Sequence, residues 1–168
     1  MSENQEYAKY RIFQNLENDQ IGHFEKVIKR KNFLSGEVIF AEGDVGDSLY
    51  LLLEGEVEIN QALTLQLTKH DYDTREKAII NLSSDIHPVF GEMSLLGSDD
   101  KRTATVKATS DCEMGIITKD DLFEICQSNP KIGFTIMNNV ASIVTDNLIK
   151  ANTNVLKLTT AFSLILEK

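Results

Sequence analysis

The sequence predicts an α+β fold that is mainly β: an antiparallel sandwich or barrel, helices on its N-terminal side, and a long helix at its C-terminal end. Three observations predict it. Short apolar runs between Val38 and Ile59 are divided by Gly36, Gly43, Gly46 and Gly55, the punctuation of hairpin-connected strands. The segment before them, Glu6 to Ile28, carries apolar residues at helical spacing. The segment from Phe134 to Lys168 holds no Gly and no Pro and repeats its apolar residues every seven positions.

The N-terminal part divides in two. Tyr7, Tyr10, Ile12, Phe13 and Leu16 form one loose helical face within Glu6 to Leu16. Asn18 or Asp19 is positioned to cap a second helix with Ile21, Phe24, Val27 and Ile28 on its inner side. Strands follow at Val38–Phe40, at Leu49–Leu53, and where Val57 and Ile59 alternate with Glu56 and Glu58. The turns Glu42-Gly43-Asp44 and Gly46-Asp47-Ser48 read as plain turn chemistry, because the ligand spacing of a calcium loop is missing.

Leu63, Leu65 and Leu67 continue the third strand; Lys69 to Lys77 is a charged hairpin tip, and Ala78 to Leu82 returns. Cys112, Met114 and Ile116 alternate as a last strand. Thr118 to Asp121 resembles a capping box that starts a short helix, and Asn129-Pro130 reads as a cap with proline at the first helical position. In the C-terminal arm Met137, Val144, Ala151, Leu158 and Ile165 interleave with Ala141, Leu148, Val155 and Phe162 at spacings of three and four. Those are the two seam positions of a heptad, and they predict self-association as a homodimer. Ala151-Asn152-Thr153-Asn154 is weak helix sequence and leaves open whether the arm is one helix or two.

Composition bounds the function. A chain of 168 residues, 42% hydrophobic, suits one domain with a real core and an appended helix. No apolar run is long enough to span a bilayer, and the polar N-terminus is unlike a signal peptide, so a cytoplasmic protein is expected. Cys112 and Cys126 do not make a disulfide framework and are expected as buried thiols. A net charge of −9 argues against broad contact with nucleic acid or anionic membrane. His23, His70 and His87 are too scattered for the metal cluster of a cupin-type enzyme. No nucleophile-and-base arrangement, metal set or Walker loop is recognisable, so no catalytic residue, metal or cofactor is assigned.

The chemistry concentrates in Phe90 to Ala108, FGEMSLLGSDDKRTATVKA. Phe90 to Leu96 has the pattern of one short helical turn. Gly91 lets a ligand approach the backbone, and the amides after it are unpaired helix-terminal donors. Glu92 offers a carboxylate and Arg102 a guanidinium, and Thr103 to Ala108 alternate as a half-buried strand. Amides with an Arg suit a phosphate, and a carboxylate beside them suits a ribose hydroxyl. Together they point to a sugar-phosphate ligand.

GEVIFAEGDVGDSLYLLLEGEVEI followed by FGEMSLL and KRTATV resembles the cyclic nucleotide-binding domain family, the type found in the catabolite activator protein and in the regulatory subunit of cAMP-dependent protein kinase. The resemblance covers roughly Ile12 to Leu148. It implies a jelly-roll-like antiparallel β-roll over residues 31–126, with a phosphate cassette at 90–106. Helices at 1–30 precede the roll, and a helix or helices at 127–168 serve as lid and dimerisation arm. It implies cAMP or cGMP as a ligand, not a cofactor, and a regulatory role without enzyme activity. Glu92 would accept from the ribose 2′-hydroxyl, and Arg102 would pair with the cyclic phosphate. Gly91, Met93 and Ser94 would give backbone contacts, Ser94 also its hydroxyl, and Thr103 a hydroxyl to the phosphate or base. Ile143 and Asn147 would face the base from the helix after the roll. Lys101 stands where many members have proline, and His87-Pro88-Val89 replaces the usual Gly-Asp-x. The chain reaches Lys168 too soon for a helix-turn-helix, so DNA is not an expected partner, and the expected readout is the C-terminal arm, an unidentified effector protein or a further part of a longer chain. The competing expectation is a dimerisation scaffold that keeps the roll and binds nothing.

Overall fold

Alternating apolar and polar residues form ten strands, described here by a computed structural model that covers residues 6–62, 65–68, 71–73, 76–97 and 100–166. In chain order they are β1 (Lys29–Phe33), β2 (Val38–Phe40), β3 (Ser48–Glu54), β4 (Glu56–Ala62), β5 (Leu65–Thr68), β6 (Asp71–Asp73), β7 (Glu76–Ser83), β8 (Val89–Phe90), β9 (Thr105–Ala108) and β10 (Cys112–Thr118). Two four-stranded antiparallel sheets result, ordered β1-β10-β3-β8 and β2-β9-β4-β7, and β5 pairs with β6. Between the two large sheets lies one core, formed by Phe33, Leu52, Phe90 and Met114 from the first sheet and Val57 and Val106 from the second.

The first sheet is apolar on both faces, so its strands do not show a simple alternation. Along β3, Leu52 points into the roll, whereas Leu49 and Leu51 join a second core beneath the helices. Along β10, Cys112 and Met114 face the roll and Ile117 faces the helices; a register shift falls at Glu113/Met114. Ile116 pairs with Tyr50 and is only half-buried, so Ile117 rather than Ile116 completes the buried set. Of the continuous strand expected through Leu67, Glu56–Ala62 and Leu65–Thr68 are extended, and the link between them lies outside the described residues. Leu63 and part of the polar hairpin tip, His70 included, lie outside the described residues. β1 was not expected at all. It is a polar edge strand with four exposed residues followed by the buried Phe33.

Among the described residues four α-helices pack on that second core: α1 (Asn18–Glu25), α2 (Glu92–Leu96), α3 (Lys119–Ser128) and α4 (Pro130–Leu166). Glu17 caps α1 through a reciprocal box with Gln20, correcting the expected cap at Asn18 or Asp19. Thr118 accepts from the Asp121 amide at the start of α3, as its sequence predicts. The helix expected over Glu6–Leu16 is reduced to a helical turn and a 3-10 turn at Arg11–Phe13. Its backbone is committed elsewhere: the Asn139 side chain on α4 donates to the carbonyls of Ile12 (2.9 Å) and Gln14 (2.7 Å). Its apolar residues are still buried as predicted, Ile12 and Phe13 almost completely. Arg11 adds an exposed ion pair to Asp146, and the Tyr10 hydroxyl donates to the Leu52 carbonyl.

α4 is one helix of 37 residues, continuous through Ala151–Asn154. Thr145, Thr153 and Thr159 donate their hydroxyls to the carbonyls four residues back, which hides their polar groups against the helix itself. The first third of α4 is buried through Ile132, Ile136, Val140 and Ile143. Beyond Ile143 its apolar residues are exposed. Among the described residues no helix is long and apolar enough to cross a membrane. Cys112 and Cys126 are buried and free.

Candidate anion-binding site

Gly91 opens the site. It caps α2 with φ 88°, a left-handed conformation that favours glycine, and a Cβ there would come within 2.7 Å of an Arg102 nitrogen. The turn buries Glu92 and Ser94, at 8% and 2% exposure, and leaves Met93 on the surface. Arg102 is brought in by backbone pairing across the turn at residues 43–46. Its amide donates to the Asp44 carbonyl (2.8 Å), and its carbonyl accepts from the Gly43 amide (2.9 Å). Val45 and Lys101 form a bridge beside it, so lysine replaces the usual proline without disturbing this pairing.

The Arg102 side chain is 4% exposed. One terminal nitrogen donates to the Gly91 carbonyl (3.1 Å) and the Ser94 hydroxyl (2.8 Å); the other donates to the Ser48 carbonyl (2.8 Å). All three acceptors are neutral oxygens. The Nε–H is buried with no hydrogen-bond partner in the described structure. A buried donor left unpaired costs about 1–3 kcal/mol. Burial works against the Arg102 charge, while Tyr50, Asp47 and Asp44 favour it. A guanidinium keeps its proton in any case.

Glu92 directly follows Gly91 at the start of the turn. Burial raises its carboxyl above the usual range, partly offset by its backbone hydrogen bond and by Arg102. The site thus holds a buried cation with an open donor and a buried acid, from one turn and the loop after it. An incoming phosphate oxygen would replace neutral acceptors with a charged one, and such bonds are roughly twice as strong.

Gly91, Glu92, Ser94 and Arg102 are therefore brought together. Thr103 and Met93 lie on the exposed rim, where the Thr103 hydroxyl approaches the Met93 sulfur at 3.8 Å. Ile143 is packed in the helical core, and Asn147 is exposed one turn further along α4. No hydrogen bond joins either of them to the cassette among the described residues. Sequence reasoning missed Gly46, Ser48, Phe40 and Tyr50. A Cβ on Gly46 would collide with the Ser94 hydroxyl and stand 3.0 Å from Arg102 Nε. The GDVGDS turn carried that signal, but its turn chemistry is a sufficient local explanation. His23 is exposed and His87 packs against the Tyr10 ring. No group of side chains that could hold a metal occurs among the described residues.

A sequence model for the cyclic nucleotide-binding domain matches residues 30–129. The chain is 31% identical over 101 residues to the cGMP-dependent protein kinase egl-4 of Caenorhabditis briggsae, covering 60% of this chain and 12% of the kinase. It is also 31% identical over 115 residues to the CRP-like cAMP-activated global transcriptional regulator of Mycobacterium tuberculosis, covering 67% of this chain and 45% of the regulator. Its structure resembles that of the Thermus thermophilus catabolite activator protein, with a TM-score of 0.72 at 23% identity, over 89% of this chain and 63% of the other. The chain thus spans less than two thirds of each of these relatives.

Proposed function

The chain belongs to the cyclic nucleotide-binding domain family, and from that premise we propose that it is a cytoplasmic sensor of cAMP or cGMP, without catalytic activity of its own. The observation that carries this reading is Arg102: a buried guanidinium held by neutral oxygens, with its Nε–H open, beside the buried Glu92. In this reading Arg102 takes the cyclic phosphate, with the backbone of Gly91, Met93 and Ser94. Glu92 accepts from the ribose 2′-hydroxyl. Thr103, on the rim, adds a hydroxyl to the phosphate or base. One relative named above is cGMP-dependent and another cAMP-activated, so both nucleotides belong in the test. Free buried thiols agree with a reducing compartment.

Binding is read out, on this proposal, by movement of α4, which brings Asn147 and the neighbourhood of Ile143 over the base. The same helix joins two copies into a homodimer. Val155, Leu158, Thr159 and Phe162 form an open, mainly apolar diamond on one exposed face of the helix, the arrangement that receives a side chain in knobs-into-holes packing. An effector protein of unidentified kind then reads the dimer.

Calorimetry and thermal shift with cAMP and with cGMP, on protein freed of co-purified nucleotide, test the function. Saturable binding is expected, and ligand at a hundred times its dissociation constant should stabilise the fold by ~2.7 kcal/mol. No response to either nucleotide at millimolar concentration would leave a scaffold that keeps the roll without a ligand.

A further inference from the structure

Arg102 lies on an aromatic base. Its guanidinium carbon is 4.2 Å from the centre of the Phe40 ring and 5.4 Å from that of Tyr50. Both distances are within cation–π range. The two rings touch, with centres 5.3 Å apart, and Tyr50 stacks on Phe90 at 5.5 Å with the planes parallel to 1°. The placement follows from sheet pairing. Phe40 on β2 pairs with Val106 on β9, just beyond Arg102. Tyr50 on β3 pairs with Phe90 on β8, immediately before Gly91. Each ring is thus hydrogen-bonded through its strand to one end of the cassette, and their mutual contact fixes one end against the other. On the remaining side the bare Gly46 leaves room beside Nε–H.

A planar cation resting on rings keeps its N–H bonds directed along one plane, towards Gly91, Ser94 and Ser48. A lysine ammonium at this position has no plane to be set by the rings. We propose that Phe40 and Tyr50 are positioning residues that set the plane of the Arg102 guanidinium for the incoming anion, with Gly46 keeping its Nε edge clear. The proposal rests on the nucleotide-binding reading for its ligand but not for its geometry. The simpler alternative is that the rings only fill the roll.

The test is a double-mutant cycle with whichever of cAMP and cGMP the wild type binds more tightly, measured on wild type, Phe40→Leu, Arg102→Lys and the pair. Phe40→Leu should weaken binding by roughly 3- to 30-fold in the wild-type background. In the Arg102→Lys background the loss should fall below about twofold, because there is no guanidinium left to orient. Equal losses in both backgrounds would reduce the rings to packing. Tyr50→Leu repeats the cycle should Phe40→Leu fail to fold. A second readout needs no ligand: the Arg102 Nε–H proton should show a ring-current shift by NMR that is reduced in Phe40→Leu, where only the Tyr50 ring remains. An unshifted proton in the wild type overturns the proposal. A wild type that binds neither nucleotide sinks the functional reading, and the NMR signal still decides the geometry.

Discussion

The cassette and the distal half of α4 break the usual rule of polar outside and apolar inside in opposite directions. At the cassette, Glu92, Ser94 and Arg102 are buried. On α4 beyond Ile143, Leu148, Val155, Leu158 and Phe162 are each 59–71% exposed. Isolated exposed apolar residues are ordinary, but a continuous heptad stripe without charged flanks is not. A buried cation with an open donor is equally unusual. The difference teaches what each region would need to be complete: on the proposed function, a small anion for the first and an apolar surface for the second.

The largest expected effect comes from breaking the apolar side. Val144→Asp with Leu148→Asp should convert the homodimer to monomer at micromolar concentration in a sedimentation run, since each unpaired buried charge costs several kcal/mol. A wild type that sediments as a monomer with and without nucleotide would refute the dimer. On the polar side, Arg102→Ala should weaken nucleotide binding by ~2–5 kcal/mol, a loss of tens- to thousands-fold. Equal affinity in wild type and Arg102→Ala would place the nucleotide elsewhere.

Glu92→Gln sharpens the comparison by separating binding from stability. It should weaken binding by roughly 10- to 100-fold, with a 2′-deoxy nucleotide losing much less than the parent. Stability should move the other way. Burial raises the Glu92 carboxyl in the folded protein above its ordinary 4.5, so its contribution is present below that pH and is lost as pH rises through the raised value. The variant should therefore melt higher than wild type at pH 7 and equally at pH 4. A variant less stable at pH 7 would mean that the charged carboxylate is held better than burial implies. The smallest effect belongs to neither region: Thr118→Ala removes the α3 cap and should cost ~1 kcal/mol by urea titration. Nucleotide affinity and oligomeric state should not change with it, and a change in either would tie α3 to the site.

How far the sequence could be read followed from how local each interaction is. Gly91, Glu92 and Arg102 occur within one turn and one loop, so their spacing made them candidates, and Ser94 followed from the family resemblance. Phe40, Ser48 and Tyr50 reach the same site through strands of the β2–β9 and β3–β8 pairings, and Gly46 through the bridge from its turn to Lys101. β1 was invisible because Lys29, Arg30, Lys31 and Asn32 carry no apolar alternation. Their exposure on an edge strand explains why none was required. The Glu6–Leu16 pattern named the correct buried residues with the wrong backbone, since Asn139, 125 residues away from Gln14, takes the carbonyls a helix would use. At Ala151–Asn154 propensity left the question open, and the surrounding helix carries through.

The two hydrogen bonds from Asn139 also have a mechanical consequence. Together with the Arg11 contacts to Ser142 and Asp146 they hold the base of α4, like a pivot, while the stretch from Asn139 to Leu166 extends about 40 Å at 1.5 Å per residue. With no Gly or Pro along it to absorb bending, a tilt of about 5° at that pivot would displace the tip by roughly 3.5 Å, more than the length of a hydrogen bond. A helix tilting about that pivot would act as a lever, with a gain set by its length. A rearrangement at the roll too small to see in side-chain positions would be large enough at the far end to change which residues meet.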